Sequence, residues 1–389
     1  MHAERRPDTR PLIDEAAVRA VDRALAALRR GEVIAIETAD GTVGAAVSVE
    51  SVPLDAVERL KALTGGVPTL AVTRRRAIVL GLAADTDDTA PGVVALGCAG
   101  GLSADQAHAL ADPEHRPDNA TLPHGLTAAV MPVDTREAAA VDLARLARLL
   151  PAAITAQVVP EDDGAALDAA AWAAEHDLLL VRARDVADYR VHVVRTLRRV
   201  ADARVPLSGA ENTRIYAFRP ADGGPEHLAI VIGDPDPEQP VLARLHSECF
   251  TGDLLGSLRC DCGDQLRGAI AEIARQGSGV LLYLAQEGRG IGLVNKLRAY
   301  RIQDQGFDTV DANEILGFEA DERVYLPAAE MLRQLGFSAV RLMTNNPEKL
   351  RQLTRCGIAV VERVAHIFPA NGHNEGYLRT KAERSGHMF

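Results

Sequence analysis

The run Arg244-Leu-His-Ser-Glu-Cys-Phe-Thr-Gly-Asp-Leu-Leu-Gly-Ser-Leu-Arg-Cys-Asp-Cys-Gly-Asp-Gln265 decides how this chain is read. Three of the five cysteines, Cys249, Cys260 and Cys262, fall in a 14-residue window of it. Thiolates are soft ligands that suit zinc, and three protein ligands leave a fourth tetrahedral position open. The spacing therefore predicts a catalytic metal site. The alternative is a group of buried free thiols. The scarcity of cysteine elsewhere and the polar surroundings favour the metal.

Outward from this run, the pattern alternates strands and helices. Thr213–Phe218, His227–Ile232 and Val241–His246 read as strands, with turns at Gly223-Gly224 and in Asp234-Pro-Asp-Pro. The third strand delivers His246, Glu248 and Cys249 to one end of a sheet. Gly263–Gln276 reads as a helix with Leu266, Ile270 and Ile273 on its buried side. Cys260 and Cys262 are expected just before its start, where the helix dipole stabilises thiolates.

Strand Gly279–Leu284 leads into Gln286-Glu-Gly-Arg-Gly-Ile-Gly292 and then into helix Leu293–Gln305. A glycine-containing loop before a helix can present N–H groups to phosphate, and Arg289 adds a charged fork. Glu287 can accept the N–H donors of a guanine edge, or form a surface ion pair. Strand Ala339–Met343 runs into Thr344-Asn-Asn-Pro-Glu-Lys349. Pro347 suits a first helical turn, and Lys349 can reach a phosphate. Cys356, beside Gly357, reads as a buried free thiol. His366, His373 and His387 receive no role.

The first 200 residues are poorer in chemistry. Residues 1–14 read as a tail. Helix Glu15–Arg30 is closed by Gly31, a hairpin turns at Asp40-Gly41, and Leu54–Leu63 is helical. Residues 83–125 are expected to be loops, with Asp85, Asp87 and Asp88 a solvated acidic run. Helix Ala138–Leu150, strand Ile154–Val159, helix Asp163–His176 and strand Leu178–Val181 complete an α/β pattern. Residues 182–204 read as an Arg-rich connector, helical from Val193 to Val200. The fold expected is α/β with mixed sheets in two domains, each sheet packed with helices: a tail 1–14, a domain 15–202 and a domain 203–389.

Composition limits the classes further. The chain has 389 residues, 47% hydrophobic and 25% charged, so it can bury large cores. A net charge of -11 argues against general nucleic-acid binding. No run approaches the ~18 apolar residues of a membrane span. The polar N-terminus lacks a signal core, and clustered, odd-numbered cysteines do not suggest disulfides. A cytoplasmic, reducing location is expected, with no membrane partner.

Residues 205–387 resemble GTP cyclohydrolase II, the zinc enzyme that opens the guanine ring at the start of riboflavin synthesis. The resemblance rests on R-x-H-S-E-C-x-T-G-D, S-L-R-C-D-C-G-x-Q-L, Q-E-G-R-G-I-G-L, N-K-x-R-A-Y, D-T-V-x-A-N, L-G-F-x-x-D-x-R and R-L-x-T-N-N-P-x-K, in order. It implies one Zn2+ on Cys249, Cys260 and Cys262. It implies GTP contacts from Arg244, Leu245, His246, Ser247, Glu248, Gln265, Glu287, Gly288, Arg289, Thr309, Thr344 and Lys349, with Mg2+ on the triphosphate. Asp321 would be the general acid/base and Arg323 the family's proposed nucleophile. A guanidinium is effectively always protonated and so a poor nucleophile, which leaves a clamp on the α-phosphate at least as good a reading of Arg323. Tyr300 implies release of formate. A homodimer is the family's usual assembly.

Residues 136–190 resemble 3,4-dihydroxy-2-butanone 4-phosphate synthase. That family's acidic D-R-E-N-E-G-D loop is replaced here by Glu37-Thr-Ala-Asp-Gly-Thr-Val-Gly44, and its His-Thr-Glu by Val133-Asp-Thr-Arg-Glu137. A hard cation needs several oxygen ligands, so this half is expected to keep the fold without the catalysis. Alternatives are a bifunctional enzyme and a non-catalytic zinc- and nucleotide-binding regulator.

Overall fold

The computed structural model describes residues 13–51, 53, 55–84, 92–115, 122–160, 167–369, 372, 375–386 and 388. Asp85, Asp87, Asp88, His373 and His387 lie outside the described residues, as does the tail up to residue 12. Two compact units emerge, residues 1–192 with 314–319, and residues 193–313 with 320–389.

The first unit holds β1 (Ile34–Glu37), β2 (Val43–Ser48), β3 (Thr69–Thr73), β4 (Val93–Gly97), β5 (Thr127–Met131), β6 (Ala152–Gln157) and β7 (Leu179–Arg182). They form one sheet in the order β5-β4-β3-β6-β2-β1-β7. Only β7 runs parallel to its neighbour, and the other pairs are antiparallel. The expected hairpin is β1–β2, closed by Thr38 N–H donating to Thr42 O at 2.9 Å. Helix Arg136–Leu146 covers one face, with Ala138 and Val141 against Ala71 and Val93. Leu60, Leu110 and Trp172, from three other helices, pack with Val47, Leu70 and Ile154.

Two expectations are corrected. Residues 83–125 are not all loop, because Val93–Gly97 is a strand and Ala104–Ala111 a helix. Ser103 and Gln106 cap that helix reciprocally, a signal hidden among glycines. Nor is Val193–Val200 simply helical: the helix Ala183–Arg195 ends there, and Arg198–Arg204 is a strand. Its residues are all exposed, so no apolar period marked it.

In the second unit that strand is β8, followed by β9 (Thr213–Arg219), β10 (His227–Ile232), β11 (Val241–Ser247), β12 (Gly279–Leu284), β13 (Ala339–Met343) and β14 (Ala359–Val364). The order is β14-β13-β11-β12-β10-β9-β8. Strands β14, β13, β11 and β12 are parallel, whereas β10 and β9 are antiparallel. Side chains alternate between two covered faces. Val280, Leu282 and Leu284 pack with Ala328, Leu332 and Leu353, while Leu281 meets Ala269 and Ile273 of the helix Cys262–Gln276. Period two also places Arg244 and His246 on the Leu242 face, toward that helix.

Within the parallel set β11 is flanked by β13 and β12, so the chain reverses its direction of travel beside it. Ligands of open α/β sheets bind outside the carboxyl ends of strands at such a switch point. Leu282 is fully buried at the centre of this sheet. Leu282→Ala is expected to cost about 2–5 kcal/mol of stability, read as a lowered urea midpoint with the slope unchanged.

Candidate functional site

One cavity gathers the loops that leave β11, β12 and β13. The β11 tip turns through Phe250–Leu254, a wide helical turn in which Asp253 N–H donates to Cys249 O at 2.7 Å. The turn folds its backbone beneath the three sulfurs. A Cβ on Gly252 would stand 2.8 Å from the Cys260 sulfur and 3.0 Å from that of Cys249. A Cβ on Gly263 would stand 2.4 Å from Gly252 O. Both positions therefore require glycine for packing.

Cys260 precedes the helix Cys262–Gln276, whereas Cys262 is its first residue rather than lying before it. The Cys249 and Cys260 sulfurs are 3.7 Å apart, and all three lie within 4.8 Å of one another. Tetrahedral zinc with bonds near 2.3 Å sets neighbouring sulfurs about 3.8 Å apart. A disulfide needs about 2.05 Å. The donor set thus fits a metal ion with three soft ligands. Hydrogen bonds from Cys260 and Cys262, with the Lys296 ammonium, pull the Cys249 thiol down. Facing Cys249, the Cys260 thiol is pushed up to about 11, and that of Cys262 well above its ordinary value. One negative charge is easily held here; three require a cation.

Asp253 anchors this turn. Its carboxylate accepts from Cys249 N at 2.9 Å, from Tyr283 Oη at 3.0 Å, and lies 3.0 Å from His246 Nε2. Burial pushes the His246 imidazole below its usual range despite that carboxylate. Glu287 anchors the second loop. It accepts from Phe250 N at 2.6 Å, Gly288 N at 2.8 Å and Lys296 Nζ at 2.8 Å. Burial alone would lower the Lys296 ammonium, but Cys249 and Glu287 outweigh it and raise it.

Gly288 and Arg289 both adopt left-handed backbone, with φ of 62° and 63°. That is uncommon for arginine and marks a constrained functional loop. The Arg289 guanidinium donates to Ala320 O at 3.1 Å. From the third loop, Lys349 in the first turn after Pro347 donates to Leu245 O at 2.7 Å. Arg244 donates to Met343 O at 2.9 Å and to the Gln265 side chain, and burial pulls its guanidinium down to about 10.

The cavity is lined by nearly every residue the sequence singled out: Arg244, His246, Ser247, Glu248, the three cysteines, Gln265, Glu287, Gly288, Arg289, Tyr300, Thr309, Arg323, Thr344 and Lys349. Two do not line it. Leu245 belongs to the core under the sheet. Asp321 stands outside the lining with its side chain 34% exposed, paired to Arg323 at 2.8 Å and 2.5 Å. Burial would raise the Asp321 carboxyl, but Arg323 and then Arg289 hold it below its ordinary value. Sequence reading missed Lys296, Gln303, Asn313, Asn345 and Asn346, which also line the cavity. The spacing Lys296, Ala299, Tyr300, Gln303 was the available signal, because such positions share one helix face.

Asn345 clasps His366 through both backbone groups, at 2.6 Å and 3.1 Å, and His366 Nε2 bonds Gln265 O at 2.9 Å. Burial, aided by Arg244, lowers the His366 imidazole to about 4. The unfolded chain, with His near 6.5, therefore binds more protons between those values. This contribution to stability is present above pH 6.5 and lost as pH falls toward 4. His366→Gln is expected to flatten that fall, measured as urea midpoints across the range. Gly252→Ala is expected to spread the sulfurs and abolish stoichiometric zinc uptake, measured by metal analysis, with the far-ultraviolet circular dichroism unchanged.

No helix among the described residues is long and apolar enough to cross a membrane. A family model described as GTP cyclohydrolase II matches residues 198–365. The riboflavin biosynthesis protein RibBA of Synechocystis sp. is 41% identical over 308 residues, 76% of this chain and 55% of that protein. That alignment is longer than the second unit and so reaches into the first. A crystal structure of RibBX, a two domain 3,4-dihydroxy-2-butanone 4-phosphate synthase from A. baumannii, aligns at 19% identity and a TM-score of 0.38, over 90% of this chain and 99% of that one. The GTP cyclohydrolase-2 of Azospirillum brasilense is 77% identical over 377 residues, 97% of this chain and 96% of that protein. The chain belongs to the GTP cyclohydrolase II family.

Proposed function

We propose that this chain catalyses the zinc-dependent GTP cyclohydrolase II reaction: hydrolytic opening of the guanine imidazole ring of GTP, with release of formate and pyrophosphate, as the first step of riboflavin biosynthesis. The carrying observation is the juxtaposition of three thiols with Arg289, Arg323 and Lys349 around one cavity. Cys249, Cys260 and Cys262 would hold the zinc, which when bound supplies Lewis acidity toward water at the purine.

The chain's own groups do the rest. Arg323 keeps its charge, so it serves better as a phosphate clamp than as a nucleophile. Arg289 and Lys349 add cations for the triphosphate, whose charge would also suit Mg2+. Asp321, held below the ordinary carboxylate range by Arg323, would act as the general acid/base. Thr309, Thr344 and Gln265 offer hydrogen bonds. Glu287 already accepts three donors, so any guanine contact must share its oxygens. Tyr300 stands beside the thiols, its hydroxyl 3.4 Å from Thr251 Oγ1, and favours formate as the one-carbon product. A cytoplasmic homodimer belongs to the same reading.

The first unit supports a vestigial synthase-like domain rather than a second activity. Glu37, at the place of the synthase family's acids, is paired with Arg182 at 2.9 Å. Asp40 is taken by Thr38 and Thr42. Glu137 pairs with Arg136. Among the described residues of this unit, no three metal-binding side chains converge. Substantial conversion of ribulose 5-phosphate by the full chain would instead favour the bifunctional reading.

Incubation with GTP, zinc and magnesium is expected to yield formate, pyrophosphate and the diaminopyrimidine nucleotide. Cys260→Ser is expected to lower zinc content and ring opening together, by at least about 10-fold. Zinc-loaded wild-type protein without turnover would overturn the reading and favour a nucleotide-binding regulator.

A further inference from the structure

Lys296 is a buried ammonium to which the ring-opening reading gives no role. It is carried into the cavity on the helix Leu293–Gln303, on the face that also bears Tyr300. Its Nζ donates to the Cys249 sulfur at 3.1 Å and to a Glu287 oxygen at 2.8 Å, and sits 5.7 Å from the centre of the Tyr300 ring. The other Glu287 oxygen accepts from Phe250 N. A closed ring of contacts results. It leaves the Cys249 side chain, passes through Lys296 and Glu287, and returns to the backbone one residue beyond Cys249.

We propose that Lys296 is a positioning residue of the metal centre, its ammonium bridging the Cys249 thiolate and the Glu287 carboxylate so that this ligand is fixed against the wall of the cavity. The proposal rests on the reading of the three thiols as a metal site. Charge makes the bridge strong, because hydrogen bonds between ions are about twice as strong as neutral ones. Removing the ammonium would leave the buried Glu287 carboxylate with its two backbone donors and no counter-charge, which folded proteins avoid. Partners that hold a metal ligand from outside typically cost about 10- to 100-fold in metal affinity or activity when lost. Lys296 does this for one sulfur and, through Glu287, for the Gln286–Gly292 loop that carries Arg289.

The test compares zinc dissociation constants, by chelator competition on the full chain, for wild type, Lys296→Met, Lys296→Gln and Lys296→Arg. The Met and Gln variants are expected to bind zinc about 10- to 100-fold more weakly, and Arg to recover most of the loss. Cobalt in place of zinc gives a second readout, since its thiolate charge-transfer absorption should shift in the Met and Gln variants. Their kcat should fall more than their KM for GTP rises. Glutamine is one atom shorter than lysine but keeps an N–H donor without the charge, so it carries the test if the Met variant does not fold. Wild-type zinc affinity and an unshifted cobalt spectrum in the neutral variants would overturn the proposal. A wild-type chain that takes up neither zinc nor cobalt would instead sink the metal-site reading beneath it.

Discussion

Three thiols held within 4.8 Å of one another set the terms for everything around them. Like charges at that distance in a half-dry pocket repel strongly, so the cluster calls for positive charge from several directions. The start of the helix Cys262–Gln276 supplies a partial charge and Lys296 a full one, and a metal ion would supply the remainder. The backbone must also approach closely, and Gly252 and Gly263 make that possible. Asp253 then fastens the turn, tying Cys249 N to His246 and Tyr283. The sheet beneath contributes rigidity. Strands β11, β12 and β13 deliver three loops to one end of the sheet, the second bringing Arg289 and the third Lys349.

Much of this was legible in residues alone. The strands of the second unit announced themselves by apolar runs between turn residues, as in Gly279–Leu284. The cysteine spacing announced a thiol cluster that could hold a metal ion. What escaped were features with no local period. Strand Arg198–Arg204 is exposed along its whole length and is held only by pairing with β9, a long-range property. Helix Ala104–Ala111 hid in a glycine- and aspartate-rich stretch. Lys296 escaped because a lysine in a helix reads as a solvated surface residue, and only the fold reveals the two anions awaiting it. The ion pair weighed for Glu287 is buried rather than at the surface for the same reason: its partners come from residues 250 and 296, distant in sequence.

The first unit combines a packed fold with acids that are engaged inside it. Its seven-stranded sheet is complete and its cores are filled. Yet its acids point into local pairs, Glu37 with Arg182 and Glu137 with Arg136. Core packing depends on volume and pattern, which many sequences satisfy. Metal sites depend on particular oxygens at particular places, and single substitutions remove them.

The helix face that bears Lys296, Ala299, Tyr300 and Gln303 has a consequence for how this family can vary. An α-helix advances 1.5 Å and turns 100° per residue. It therefore acts as a ruler between the thiol cluster, touched by Lys296, and the tyrosine four residues on. Inserting or deleting one residue between them would swing Tyr300 a quarter-turn or more away from the cavity. The segment 296–303 can exchange side chains freely on its outer face, yet it cannot change length. The hairpin turn at Gly223-Gly224, by contrast, lies outside the cavity lining and can lengthen without moving a single group that faces it.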